Sequence, residues 1–95
     1  MTFTDQLDQW VRRNRRQLDE LGRLTYQRST DDRFNHSAHV GIENDSRFAE
    51  LIVWDSGEVE FAYGSSSGVK DEHHDLTSPN DLDELLESLV RRLRP

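Results

Sequence analysis

Near the start of the chain, apolar residues recur at three- and four-residue intervals: Phe3, Leu7, Trp10, Val11, Leu18 and Leu21. This spacing places them on one stripe of a helix, with Thr2 or Thr4 as N-cap and Gly22 positioned for a left-handed C-terminal cap. A second stripe, Leu82, Leu85, Leu86, Leu89, Val90 and Leu93, follows Ser78-Pro79. Ser78 suits an N-cap, Pro79 the first helical position, and the acids after it suit the positive end of the helix dipole. Between the stripes the period changes to two: Leu24 and Tyr26; Ala38, Val40 and Ile42; Ala49, Leu51 and Val53; Val59, Phe61 and Tyr63. The pattern predicts an α+β fold, an antiparallel meander of four to five strands with the N- and C-terminal helices packed on one face.

The register follows from requiring one apolar face, because a slip of one residue sends the whole apolar set to the other side. A three-residue loop Asp55-Ser56-Gly57, with Gly57 at positive φ, opposes Val53 to Val59, Leu51 to Phe61 and Trp54 to Glu58. A two-residue Ser-Gly loop opposes Val53 to Glu60 and is rejected. The same rule gives the preceding hairpin a four-residue loop, Asn44 to Arg47, so that Ile42 meets Ala49 and Val40 meets Leu51. A fifth strand, Val69 to Leu76, is expected after a flexible Gly64-Ser65-Ser66-Ser67-Gly68 loop. If Leu76 points inward, Glu72 and His74 lie on its side, and Asp71, His73 and Asp75 face outward.

Composition narrows the function classes. The 95 residues are read as a single domain, 1–95, with 33% apolar and 33% charged residues. A core of that size leaves little room for a deep enzyme pocket. No cysteine is present, so thiolate catalysis and cysteine–zinc sites are absent, and a reducing cytoplasm is the expected location. No apolar run has the length of a membrane span and the start lacks signal-peptide character, so no membrane association is expected. The net charge is −7. From Glu43 to Glu87 the acids face only Arg47 and Lys70, which argues against nucleic acid as a partner. The arginines at the two ends read as solvated helix faces and as complements to a helix C-terminus.

The most suggestive chemistry is "DEHHD", Asp71 to Asp75. Strand alternation separates the two histidines, so a metal site requires Asp71, His73 and Asp75, with His39 or a glutamate from across the sheet. That small metal-binding enzyme is the weaker alternative. The serines of "GSSSG" have no motif-fixed histidine, and its glycines follow no phosphate-loop pattern. No catalytic residue, cofactor or metal is therefore assigned, and a non-enzymatic domain is the reading. The outer face of the sheet carries His39, Glu50, Ile52, Trp54, Glu58 and Glu60, a set that suits an apolar anchor with a charged rim. The competing expectation has Trp54 packed under the Arg28–Asn35 loop or against Phe34 and Phe48.

The order of "LDQWVRRNRRQLDELG", "LIVWDSGEVEF" and "EHHDLTSPNDLDELLESLV" resembles the TriTu immunity proteins, over nearly the whole chain. The resemblance implies a bacterial immunity protein for interbacterial competition. It would form a one-to-one complex with a cognate Rhs-associated ADP-ribosyltransferase toxin that acts on elongation factor Tu. No site residue is carried over from the family. From the strand register, the expectation is occlusion of the toxin's cleft with Trp54 and Ile52 as anchors and Glu50, Asp55, Glu58, Glu60, Asp71 and Asp75 facing toxin lysines and arginines, with His39 and His73 beside them. The alternative is an effector chaperone or adaptor that binds without inhibiting.

Overall fold

The computed structural model describes residues 2–29 and 35–94. Its elements run α1 (Phe3–Leu21), β1 (Arg23–Arg28), β2 (Ser37–Glu43), β3 (Arg47–Trp54), β4 (Glu58–Ser65), β5 (Gly68–Asp75) and α2 (Pro79–Leu93). The strands form one antiparallel sheet in the order β1-β2-β3-β4-β5. α1 packs over β1, β2 and β3, α2 packs over β3 and β4, and the helices touch each other. The layer between holds Leu7, Leu18, Val40, Leu51, Val53, Val59, Leu82, Leu86 and Leu89, each with no exposed surface. Both predicted stripes are therefore the buried sides of their helices.

The predicted register is the observed one. Ile42 pairs with Ala49, Val40 with Leu51, Leu51 with Phe61 and Val53 with Val59. Gly57 has φ 103°, and its amide donates to the Trp54 carbonyl at 2.9 Å, which closes the bulged turn. At the other hairpin the Asn44 carboxamide oxygen accepts from the amides of Ser46 and Arg47, both at 2.9 Å. This side-chain turn fixes the loop length and with it the register.

α1 begins at Thr2, whose hydroxyl accepts from the Asp5 amide at 3.1 Å while Asp5 accepts from the Thr2 amide. The next orphan amide, Thr4, donates to Asp55 Oδ1 at 3.0 Å. At α2, Asp81 Oδ2 accepts from the Thr77 amide at 2.8 Å and from the Ser78 amide at 3.2 Å. These bonds hold the Asp81 carboxyl below its ordinary pKa, the Thr77 backbone amide being the largest cause.

Two local expectations are corrected. Gly22 is extended, with φ 161° and ψ −163°, and forms no left-handed cap. It lies against the Glu43 carbonyl, where a Cβ would collide, and the Asn44 carboxamide caps α1 by donating to the Leu21 carbonyl at 3.0 Å. The segment Gly64 to Gly68 is no long loop. Gly64 pairs with Val69 and Ser65 with Gly68, leaving a two-residue Ser66-Ser67 turn. The absence of a side chain at Gly64 lets the two strands approach there, since a Cβ would collide with the Gly68 carbonyl.

Candidate functional site

With both helices on one side, the other side of the sheet is assembled from alternate residues of the same strands. Its rows can be read across the ladder. Thr25, Gly41, Glu50, Ala62 and Asp71 form one row; Gln27, His39, Ile52, Glu60 and His73 form the next. Trp54 and Asp75 stand beyond them beside Glu58. Nine of the ten residues expected at the site thus share this face: His39, Glu50, Ile52, Trp54, Glu58, Glu60, Asp71, His73 and Asp75. Asp55 is set apart, because the turn places its carboxylate under the N-terminus of α1.

Ile52 and Trp54 are half-buried. The alternative packing of Trp54 under the Arg28–Asn35 loop or on Phe34 concerns residues 30–34, which lie outside the described residues. Phe48 continues the apolar line at the opposite end of β3, its ring over Gly64. Val69, 60% exposed, extends the line onto the edge strand. Between Phe48, His39 and Glu50 a notch of about 220 Å³ opens where Gly41 has no side chain. Phe48, Val69 and Gly41 were missed as site residues, although the period-two alternation that found Ile52 and Trp54 also places them there.

Glu50 interrupts this line between Phe48 and Ile52, and Glu43, Glu58, Glu60, Asp71 and Asp75 flank it, with Arg23 beside Glu43 as the opposing cation at 3.9 Å. His39 Nε2 lies 3.2 Å from Glu50 Oε2. His73 bridges two strands, its Nδ1 2.8 Å from Glu60 Oε1 and its Nε2 3.3 Å from Asp75 Oδ1. Its pKa is raised, mainly by the Glu60 hydrogen bond, with partial desolvation opposing and Asp75 adding to the rise. His74, one residue on, faces the other side and meets Glu72 at 2.8 Å. The predicted division of the two histidines is present.

Of the metal set expected from the sequence, Asp71, His73 and Asp75 with His39 or a glutamate from across the sheet, the structure brings together His73, Asp75 and the β4 glutamate Glu58, without Asp71 or His39. His39 lies three strands from His73, about 14 Å at the usual strand spacing. Among the described residues, the ligand atoms that converge within 4.8 Å belong to Glu58, His73 and Asp75, all exposed. Glu60 and Asp75 already engage both nitrogens of His73, which makes the cluster an ion-pair bridge.

The sheet face left open by the helices thus combines Phe48, Ile52 and Trp54 with a set of carboxylates, a composition found where one protein docks on another. The family model of the immunity protein TriTu matches residues 5–92, and the chain belongs to that family. Its family role is toxin neutralisation. No match was found among curated proteins. Among the described residues no helix is long and apolar enough to cross a membrane.

Proposed function

We propose that this protein neutralises an ADP-ribosyltransferase toxin by laying the open sheet face over the toxin's cleft for NAD or for its protein substrate. The observation that carries the reading is the apolar line of Phe48, Ile52 and Trp54 set among Glu50, Glu58, Glu60, Asp71 and Asp75 on the face that neither helix covers. A transferase cleft that holds the phosphates of NAD needs positive charge, and an acidic face complements it. Such complementarity speeds encounter, an advantage for an inhibitor that must act before its target does. Trp54 and Ile52 are the anchors to be desolvated, and the carboxylates choose the partner and the orientation.

The test is a one-to-one titration with the cognate toxin domain, coupled to its transferase activity. Trp54→Ala should weaken binding by about 30-fold or more, as truncation of a central aromatic anchor typically does. Glu58→Lys with Glu60→Lys should slow association most at low salt. Binding that survives all three changes in a folded protein sinks the docking face. Binding without loss of toxin activity would instead identify a chaperone or adaptor.

A further inference from the structure

The helix side of the sheet contains a groove of the opposite charge. α2 covers β3 and β4 but stops short of the edge strand, and a depression of about 460 Å³ remains at the C-terminal end of that helix. Arg47 from β3, Lys70 from β5, and Arg91 and Arg92 from α2 line it, together with Tyr63, Val69 and the strand ends around the Ser66-Ser67 turn. The chain carries 19 acidic residues against 12 lysines and arginines, yet no carboxylate is among the lining residues.

The helix dipole accounts for Arg91 and Arg92, but it does not account for Lys70 or Arg47, which arrive from separate strands. The arginines are partly positioned. The Arg92 guanidinium lies 4.1 Å from the centroid of the Tyr63 ring, and Arg47 donates to the Arg94 carbonyl. Tyr63 is held in turn by donating its hydroxyl to Glu72 at 2.7 Å. A guanidinium has five N–H donors, so both arginines keep donors for a ligand.

We infer that this groove binds a small molecule or terminal group carrying a di- or triphosphate. Four cations line one depression, Arg92 being also in reach of the Glu72 carboxylate, and a concave site focuses their field on an anion that enters. Extended polypeptide separates carboxylates on one side by about 7 Å, which brings few into so small a space. A di- or triphosphate concentrates its charge over a shorter length, and guanidinium forks match its oxygens. The cations of the groove lie on the helix side of the sheet, opposite the docking face, and the two sites meet at the edge residue Val69.

The experiment is a calorimetric titration of the full chain with tripolyphosphate in low-salt buffer, with the site located from amide shifts in NMR. Saturable one-to-one binding is expected with a dissociation constant below about 1 mM. Shifts should centre on residues 64–70 and 91–92, and affinity should fall as salt rises. Lys70→Glu with Arg91→Glu should weaken binding at least about tenfold. Lys70→Gln with Arg91→Gln serves if charge reversal impairs folding. Arg13→Glu with Arg16→Glu, on the exposed side of α1, should leave it unchanged. Absence of saturable binding, unchanged affinity in the groove variants, or equal loss in the α1 variant overturns the assignment.

Discussion

Leu51 and Ile52 are consecutive residues of β3 with similar side chains, and they occupy opposite environments. Leu51 has no exposed surface and pairs with Val40 and Phe61 beneath the helices. Ile52 is half-buried and stands between His39 and Glu60 on the open side. The inner face is shaped by the need to exclude water. The outer face has apolar groups that neither helix covers, set among exposed carboxylates. A residue's side of the sheet, more than its type, therefore sets how deeply it is buried.

The largest expected effect divides this pair. Leu51→Ala should cost about 2–5 kcal/mol, because it removes buried methyl groups and leaves a cavity under both helices. Ile52→Ala should cost about 1 kcal/mol, since part of that side chain already meets solvent. Urea denaturation of both variants measures the contrast. Equal losses would make the outer face part of the core and remove its claim to be a docking surface.

A smaller effect concerns the turn that assigns residues to faces. Gly57→Ala should destabilise by about 1–2 kcal/mol, because the alanine must take a positive φ. The new Cβ would also lie 2.9 Å from the carbonyl oxygen of Leu76, the residue just after β5. Hydrogen exchange at the Val53 and Val59 amides reports whether the pairing holds. An unperturbed stability would show that the hairpin register does not depend on this turn.

The legible parts of the fold were those in which a local pattern and a global requirement agreed. The period of two, tested against one apolar face, was enough for the register of β2, β3 and β4, and so for the placement of Ile52, Trp54, Glu58 and Glu60. The β4–β5 turn was read as a loop because glycine and serine carry no hydrophobic pattern. There the pairing is set by the close approach of Gly64 to Gly68, a tertiary contact. Gly22 misled for a related reason: the chain enters β1 without a turn, and a distant asparagine supplies the cap. The basic groove was not legible at all. Its cations stand at positions 47, 70, 91 and 92, and only the packing of α2 on β3 and β4 brings them to one depression.

The smallest effect expected tests the comparison at another adjacent pair, His73 and His74. On the outer face His73 lies between Glu60 and Asp75, with Glu58 close by; on the inner face His74 meets Glu72, whose other oxygen takes the Tyr63 hydroxyl. Folding raises the pKa of His73, so the folded protein holds that proton more tightly than the unfolded chain does. The stabilisation is therefore fully present below the ordinary histidine value of about 6.5 and is lost as pH rises through the raised folded value. His73→Gln should remove this pH dependence from the denaturation midpoint, and salt should weaken it in the wild-type protein because the bridge is exposed. An NMR titration of the imidazole measures the folded value directly. A value at or below the ordinary one would show that the two carboxylates do not hold the ring. Deprotonation also makes the outer face more negative, so a cationic partner should gain attraction as the structural bridge weakens. The same proton then acts in opposite senses on the hairpin and on docking, and measuring binding and unfolding over one pH range separates the two.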